Sequence, residues 1–354
     1  MFGTFDVDRH PRVEVLEAGL AAHGVDLVRC NVPWEASTAQ RVRALHNPLA
    51  ALRLLLRLLR CWWRLWHGAR DIGPVDVVVT GYLGVFDIHL ARRCWPDAIH
   101  VLDHLAPVGA TVADRTGRRG PRQRLGERID NAACGVADLV VVDTDEHLPP
   151  TGGVVVPVGA PDRWFEVDGG RSPASGPLRV VFFGLYTPLQ GTETIAQAVR
   201  VLDHAGVTVQ LTLIGAGQDL PAVRSILGGV DGVEWRSWVE PADLPAVVAE
   251  HDVCLGIFGT TSKAYRVVPN KVFQGAAAGC AVVTSDTPPQ RRLLVSGARF
   301  VPAGDAAALA AVLADLAADR PACRTLGAAA RDLARQEFRP DRVVGDLVAA
   351  LTAR

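Results

Sequence analysis

The sequence predicts an α/β protein built from two doubly wound domains that face a ligand cleft. The chain of 354 residues is too long for one ordinary core, so two domains are expected. Continuous Val- and Leu-rich runs alternate with segments of helical spacing, as in parallel sheets covered by helices on both faces. The stretch 166–178, rich in Gly, Ser and Pro, is a linker between two similar halves. The carboxyl ends of the strands are the usual ligand site of such domains.

The N-terminal half, 1–165, opens with a very short strand, because only Met1 and Phe2 precede Gly3. A segment of helical spacing follows over 13–24 and ends at a glycine. Further buried strands of this half are predicted at 25–32, 75–82, 98–104 and 137–144. The ends of these strands place five residues at the cleft: Gly3, Thr4, Tyr82, Asp103 and His104.

Several polar residues of this half have two interpretations. Arg9 and Arg12 follow the first turn and either face the ligand or belong to the solvated surface. His104 ends a strand, where a histidine either acts on the substrate or is a hydrogen-bonded structural residue.

The C-terminal half, 179–336, repeats the alternation. Its strands are predicted at 179–184, 209–215, 232–239, 252–258 and 281–286. Its helices are predicted at 192–206, 241–251, 270–279 and 306–318, and the remainder, 320–353, is predicted to be helical. Four glycines lie in turns after two of these strands: Gly184, Gly191, Gly215 and Gly217. Such glycines let backbone amides approach a phosphate at a helix N-terminus, although ordinary strand–helix turns are equally consistent with them.

Composition excludes several classes of protein. The balance of 37 basic and 38 acidic residues argues against a nucleic-acid binder driven by bulk charge. Seven scattered cysteines without a CxxC pair indicate a reducing compartment and no zinc site. His147 and His251 lack partners at ligand spacing, so no metal is expected. The polar start, with no uncharged apolar run of about 18 residues, predicts a cytoplasmic protein without a signal peptide or membrane span.

Lysine is confined to one segment of the chain. Of the 37 basic residues only Lys263 and Lys271 are lysines. A short helix is predicted from Asn270, and a lysine in its first turn opposes the helix dipole unless an anion binds there. With Arg266, the two lysines form a plausible clamp for a diphosphate, and Gln274, one turn further on, faces sugar hydroxyls. The alternative is a solvated basic loop.

The segment 47–70 combines leucine and tryptophan with a basic stripe. Arginine recurs at helical spacing in this segment, at positions 53, 57, 60 and 64. A basic amphipathic helix with tryptophans is typical of peripheral contact with a membrane interface. The alternative is a helix packed on the N-terminal domain with arginine stems along its edge.

The segment "VVPNKVFQGAAAGCAVVTSDTP" resembles the donor-binding segment of family-four glycosyltransferases of the GT-B fold. The resemblance extends to "VVFFGLYTPLQGTETIAQAV", "LTLIGAG", "LPAVVAEHDVCLGIF" and "RTLGAAARDLARQEF", and to "VVPVGAPDRWF" before the linker. It covers nearly the whole chain and is strongest from residue 150 onward. It implies two Rossmann-like domains, with the acceptor on the first and the nucleotide sugar on the second. It also implies that the last helix, 337–354, crosses back to the first domain.

The chain departs from the family pattern at several positions. The two acidic residues of the family's E-x7-E motif fall on Arg266 and Gln274. The basic pair that follows the first Gly-bearing strand falls on Thr187 and Gln190. The diphosphate contacts are therefore expected to be rearranged, with Lys271 among the residues that compensate.

The resemblance implies a retaining transfer of a sugar from a nucleotide-diphosphate sugar, with a UDP-sugar favoured, and no obligatory metal or cofactor. Trp238 and Val239 match the loop that holds the nucleotide base, although Trp238 is equally consistent with a core position. The implied donor-binding residues are Gly3, Gly184, Gln190, Gly215, Gly217, Trp238, Val239, Lys263, Arg266, Asn270, Lys271, Val272 and Gln274. The implied acceptor-binding residues are Thr4, Arg9, Tyr82 and His104, and the implied catalytic residues are Asp103, His104 and Lys271.

The expected acceptor is a small molecule or lipid-linked precursor of a natural product, a glycolipid or the cell envelope. Two other functions remain open on these residues. A nucleotide-sugar epimerase of the same fold would need carboxylates where Arg266 and Gln274 stand. A nucleotide-sugar-binding pseudoenzyme or partner subunit is consistent with the lost acidic pair. An NAD-linked oxidoreductase is disfavoured because neither half opens with G-x-G-x-x-G.

Overall fold

The computed structural model describes residues 1–6, 11–34, 47–81, 84–105, 107–109, 112, 120–167 and 176–354. The chain divides into two compact units. The first is Met1–Val156 together with Val344–Arg354, and the second is Pro157–Val343.

The boundary between the units lies upstream of the linker predicted at 166–178. Residues that follow Val156 already pack on the second unit. The Ala160 amide donates to the Phe338 carbonyl at 3.0 Å, and the Trp164 ring stacks on Phe183 with centroids 5.8 Å apart. Most of the predicted linker, residues 168–175, lies outside the described residues.

The first unit contains a parallel sheet of six strands in the order β2-β1-β3-β4-β5-β6. The strands are β1 (Phe2–Gly3), β2 (Cys30–Asn31), β3 (Val77–Thr80), β4 (Ile99–Asp103), β5 (Leu139–Val142) and β6 (Val154–Val155). The helices between them are α1 (Pro11–Ala22), α2 (Pro48–Ile72), α3 (Asp87–Cys94) and α4 (Pro121–Val136).

The predicted strand at 25–32 is shorter in the structure. Only Cys30 and Asn31 pair with β1, while Val25 and Val28 are exposed, at 41% and 52%. A strand continues only as far as its neighbour offers backbone partners, and β1 offers two residues. Strand β1 lies between β2 and β3, so its carboxyl end lies at the point where the strand order reverses direction.

The second unit contains a parallel sheet of six strands in the order β9-β8-β7-β10-β11-β12. The strands are β7 (Leu178–Phe183), β8 (Val209–Ile214), β9 (Val233–Arg236), β10 (Val253–Leu255), β11 (Ala281–Ser285) and β12 (Ala298–Val301). The helices are α5 (Thr192–His204), α6 (Leu220–Ile226), α7 (Leu244–Ala249), α8 (Asn270–Ala277), α9 (Pro288–Leu294), α10 (Ala306–Ala318), α11 (Arg320–Glu337) and α12 (Pro340–Val343). Helices α5 and α10 bury their apolar faces against β7 and β8 to form the main core of this unit.

The stretch 320–353, predicted to be helical, contains three helices in the structure. Helix α11 ends at Glu337, α12 covers Pro340–Val343, and α13 covers Gly345–Thr352. Pro340 cannot continue a helix, because it lacks an amide hydrogen and restricts the residue before it. The break lets α13 belong to the first unit while α11 belongs to the second.

Candidate functional site

Each sheet has one point at which the strand order reverses direction. In the second unit this point lies between β7 and β10, and in the first between β1 and β3. Because successive helices cover opposite faces on the two sides of such a point, the loops diverge there and leave a crevice at the strand ends. Some of the predicted residues lie at the ends of the strands that border these two points, among them Gly3 at the end of β1 and Gly184 after β7, whereas Gly215 and His104 follow the next strands, β8 and β4.

Gly184 and Gly215 bring the loops after β7 and β8 close together. Both glycines have a positive φ, +139° and +124°, which other residues rarely adopt. A Cβ atom on Gly215 would lie 2.0 Å from the Gly184 carbonyl oxygen, and one on Gly184 would lie 3.1 Å from Lys271 Nζ. Glycine is therefore needed at both positions for backbone and lysine to share this space.

Lys271 reaches this space from the first turn of α8. It is the second residue of the helix, which follows Pro269, and only 4% of the residue is exposed. Its Nζ donates to Gln190 Oε1 at 2.5 Å and lies 3.6 Å from the centroid of the Phe182 ring. The ammonium group is thus held at the end of β7, beside Gly184.

The surroundings of Lys271 disfavour its charge. Burial lowers the pKa of Lys271 from 10.5 to about 7. Within the described ranges no carboxylate pairs with Nζ. A buried ammonium with one neutral acceptor and one aromatic face is an incomplete anion site, which a phosphate group would complete.

The position of Lys271 Nζ also explains a departure from the family pattern. Gln190 stands where the resemblance expects a basic residue, and the structure places the Lys271 ammonium directly on Gln190. The cation therefore comes from α8 rather than from the loop after β7.

The other predicted donor residues on α8 and just before it differ in their solvent exposure. Gln274 and Val272 are buried, Asn270 and Lys263 are half-buried, and Arg266 is exposed. The solvated basic loop is therefore wrong for Lys271. Gly217 lies beside Tyr186 in an isolated bridge between the loops after β7 and β8.

Trp238 is a surface residue. Its side chain is 64% exposed, and its indole nitrogen donates to Glu240 Oε1 at 3.1 Å. The alternative that Trp238 is core is therefore wrong, and Val239 beside it is half-buried. An exposed indole face offers a stacking surface for a planar ring.

In the first unit a buried carboxylate organises the loop after β1. Asp87 Oδ2 accepts from the Thr4 amide at 2.7 Å and from Thr4 Oγ1 at 2.8 Å, while Oδ1 accepts from Trp62 Nε1 at 2.8 Å. A Cβ atom on Gly3 would lie 2.9 Å from Oδ2. Burial raises the pKa of Asp87, and these hydrogen bonds oppose the rise. Arg9 and Tyr82, the other predicted acceptor residues of this region, lie outside the described residues.

Asp103 is held in a buried ion pair. Arg12 Nε donates to Asp103 Oδ1 at 2.8 Å and to Oδ2 at 3.1 Å, and Arg12 NH1 donates to the Val156 carbonyl at 2.8 Å. Arg12 is 1% exposed and Asp103 is 2% exposed. The solvated-surface alternative is therefore wrong for Arg12. The pair ties α1 to the end of β4 and keeps the Asp103 carboxylate engaged.

The two ring nitrogens of His104, the next residue, have different surroundings. Its Nε2 lies 3.4 Å from Asp130 Oδ1, and Asp130 is itself fixed by the amides of Val108 and Gly109, each at 2.9 Å. Its buried Nδ1 has no hydrogen-bond partner among the described residues. If Nε2 donates to Asp130, Nδ1 is an acceptor that can take a hydroxyl hydrogen.

Sequence analysis missed Asp87 and the role of Arg12. Asp87 is an acidic residue in the first turn of α3, a position that acidic residues often occupy without further function. Its Thr4 and Trp62 partners are distant in sequence, so nothing local distinguished it. Within the described residues no group of three or more His, Cys, Asp or Glu side chains could hold a metal ion.

Asp87→Asn is expected to lower the free energy of unfolding by about 1–3 kcal/mol, because the new amide group must face a donor from Thr4 or Trp62. Urea unfolding followed by circular dichroism measures the change. Asp26→Asn, at an exposed position of the same unit, is the control and should have little effect. Equal stability of Asp87→Asn and the wild type would show that the three hydrogen bonds do not fix the loop.

Part of the chain is similar to a known protein family, and the whole fold is similar to solved structures. Residues 194–349 match the model of the family described as "Glycosyl transferase-like". No curated protein sequence matches the chain.

Solved structures share the fold at low sequence identity. Sucrose-phosphate synthase from Thermosynechococcus elongatus has a TM-score of 0.67 at 18% identity, covering 85% of this chain and 79% of its own. HepE from Anabaena in complex with UDP-glucose has a TM-score of 0.64 at 14% identity, covering 83% and 82%. The pneumococcal O-GlcNAc transferase GtfA in complex with UDP and GlcNAc has a TM-score of 0.57 at 13% identity, covering 82% and 59%.

The two parallel sheets and these structural relatives define the GT-B fold. Within this fold, residues 194–349 are similar to the family described as glycosyl transferase-like. The prediction of the fold class from the sequence is confirmed.

Proposed function

We propose that this glycosyltransferase moves a sugar from a nucleotide-diphosphate sugar, with a UDP-sugar favoured, to a hydroxyl acceptor with retention of anomeric configuration. The observation that carries the proposal is the buried Lys271 ammonium, which lies at the end of β7 between Gln190 and the Phe182 ring. Structural relatives crystallised with UDP or UDP-glucose support a uridine nucleotide as the donor.

The diphosphate of the donor would complete the anion site at Lys271. The loops at Gly184 and Gly215 give its oxygens access to backbone, and the N-terminus of α8 contributes its dipole. Negative charge grows on the leaving diphosphate as the glycosidic bond breaks, so a preorganised ammonium stabilises the transition state more than the ground state. Trp238 offers its exposed face to the base.

The acceptor would bind to the first unit. His104 Nδ1 is a buried acceptor without a partner among the described residues, which suits a hydroxyl group. The Thr4 loop, fixed by Asp87, forms the other side of this proposed site. Asp103 would act through its ion pair with Arg12, by keeping the end of β4 in place.

The acceptor we propose is a natural-product, glycolipid or cell-envelope precursor made in the cytoplasm. All seven cysteines are free thiols, which supports a reducing compartment. Exposed leucines on α2 support a lipid-linked acceptor and peripheral contact of residues 47–70 with a membrane. In the described part of the chain no helix could cross a membrane.

Calorimetric titration of UDP, GDP, ADP and dTDP tests the donor site. We expect micromolar binding of UDP and at least tenfold weaker binding of the other three. Lys271→Ala should lose UDP binding, because it removes the only ammonium at the end of β7 that the described residues provide. If a folded sample bound none of the four nucleotides, the proposed donor site would be wrong.

Retention of anomeric configuration is tested on the reaction product. Proton NMR of the glycoside formed from a UDP-sugar and a screened acceptor gives the anomeric coupling constant. The α-linkage of the donor is expected to be kept, and a β-linked product would contradict retention.

A further inference from the structure

Helix α2 has one face packed on the first unit. It covers Pro48–Ile72, and Asn47 caps it by accepting from the amides of Leu49 and Ala50. Its buried residues are Leu58, Leu65 and Ala69, which recur at helical spacing and so lie on a single side. This side attaches α2 to the unit and leaves most of the circumference outside the core.

A second face of α2 is apolar and exposed. Five large side chains follow one another at intervals of three and four residues, which places them in one stripe along the helix. They are Leu49, Leu52, Leu56, Leu59 and Trp63, exposed at 68%, 51%, 57%, 47% and 64%. Exposed leucines are common singly, but a contiguous stripe of this length marks an interaction surface.

A third face of α2 is basic and borders the stripe. Arg53, Arg57, Arg60 and Arg64 each follow a stripe residue directly, so they lie about 100° further around the helix. The helix has no acidic residue before Asp71. The surface outside the core is therefore half apolar and half cationic, with the two halves running in parallel.

We propose that this surface of α2 docks the protein on an anionic phospholipid bilayer, with the stripe of leucines and Trp63 in the interface and the arginine row on the lipid phosphates. A helix lying in the membrane plane needs both halves, because the apolar face enters the acyl boundary while cations bind the headgroups. A second copy of the chain would bring its own arginine row against this one, at a cost in repulsion.

The docking surface also has a direct connection to the proposed acceptor site. Trp62, on α2, donates to Asp87, which holds the Thr4 amide and hydroxyl. A helix resting on a bilayer would therefore hold the Thr4 loop at a fixed distance from the lipid surface. This use of the surface rests on the proposed function, with a lipid-linked acceptor, whereas bilayer binding itself does not.

Vesicle flotation of the full chain tests the proposal. The probes are vesicles of phosphatidylcholine alone and vesicles with roughly one third phosphatidylglycerol, whose anionic surface attracts arginine. We expect the protein to float with the anionic vesicles and to be partly released at about 0.5 M salt, where charges are screened. The apolar stripe should leave weak binding to phosphatidylcholine.

Two double variants separate the halves of the surface. Leu56→Ser with Trp63→Ser should weaken binding about tenfold or more on both vesicle types, because it removes the apolar contact. Arg57→Gln with Arg60→Gln should weaken binding about ten- to thirty-fold on anionic vesicles only, since each cation near such a surface contributes about fivefold. Leu125→Ser on α4 and Arg335→Gln on α11, both at exposed positions of other helices, are matched controls and should bind as the wild type does.

Each outcome decides for or against the docking surface. No flotation of the wild type, or flotation unchanged in both double variants, would overturn it. Concentration-dependent dimers in the ultracentrifuge that Leu56→Ser with Trp63→Ser abolishes would overturn it in favour of self-association. Circular dichroism on the same samples shows whether the variants are folded, and UDP calorimetry tests the donor site. Vesicle binding without UDP binding would support the docking surface and contradict the proposed donor site. UDP binding without vesicle binding would support the donor site and contradict the docking surface.

Discussion

Lys271→Met is expected to lower kcat/KM for the sugar donor by about 10²- to 10³-fold, the usual loss when one preorganised group that stabilises transition-state charge is removed. Methionine keeps the length and apolar contacts of the side chain on the Phe182 ring but cannot offset the charge of a leaving diphosphate. The substituted side chain is buried and loses only its contact to Gln190, so the variant should fold.

The same substitution should remove a proton-linked part of donor binding. In the free protein the pKa of Lys271 is about 7, lowered from 10.5 by burial, so the side chain is mostly neutral above pH 7. A bound diphosphate favours the ammonium, and binding above pH 7 therefore takes up a proton. Affinity should fall by up to about tenfold per pH unit above pH 7 and level off below it.

Calorimetry in buffers of different ionisation enthalpy measures this uptake directly. At pH 8 the wild type should take up close to one proton on binding UDP, and Lys271→Met close to none. Arg335→Gln, a charge change at an exposed site on α11, is the control and should behave as the wild type. Equal proton uptake in the wild type and Lys271→Met would show that Lys271 does not meet the diphosphate.

Stability of the free protein has the opposite pH dependence. Between pH 7 and 10.5 the unfolded chain binds the Lys271 proton and the folded chain does not. The free energy of unfolding should therefore rise with pH across this window. Lys271→Met should lack that slope, which urea unfolding at several pH values would detect.

Arg12→Met is expected to lower the free energy of unfolding by about 3–5 kcal/mol, because it leaves the Asp103 carboxylate buried without its partner. Both side chains are almost fully buried, and Arg12 also holds the Val156 carbonyl. Chemical unfolding followed by circular dichroism measures the loss.

Two comparisons make this result specific. The double variant Arg12→Met with Asp103→Leu removes both charges and should recover most of the loss, since a buried pair can often be replaced by apolar residues. Arg29→Met breaks a pair with Glu17 whose arginine is half-exposed and should cost about 0–1 kcal/mol. If Arg12→Met cost no more than Arg29→Met, the pair would not hold α1 to β4.

The strands and helices of the second unit were largely predictable, because local signals agree there. Its inner strands are buried on both faces and so appear as largely apolar runs, as at Ala281–Ser285, which Gly279 precedes. The first unit was harder. Strand β2 has two residues because β1 pairs only two, and the helical stretch predicted over 320–353 is interrupted at Pro340 and again before Gly345.

Some features of the candidate site could likewise be predicted from the sequence, and others could not. The confinement of lysine to 263–271 is a property of the sequence that singles out Lys271, and glycines after strands indicate the phosphate-facing loops. What contacts Lys271 could not be predicted, because Gln190 is far away in sequence and meets it only through the end of β7. Arg12 and Asp87 are similar cases, since their partners Asp103 and Trp62 are brought to them by neighbouring strands and by α2.

The sequence by itself determined the fold class and singled out the segment that contains both lysines, because periodicity, glycine placement and residue usage are local properties of the chain. The tertiary structure alone decided which charges are buried, which are paired and which face of α2 is left outside the core. Those properties depend on the distance and the solvent exposure of groups that the chain brings together from opposite ends. We propose that Lys271 binds an anion because its ammonium group lies beside Gly184 and no carboxylate pairs with it in the described part of the chain.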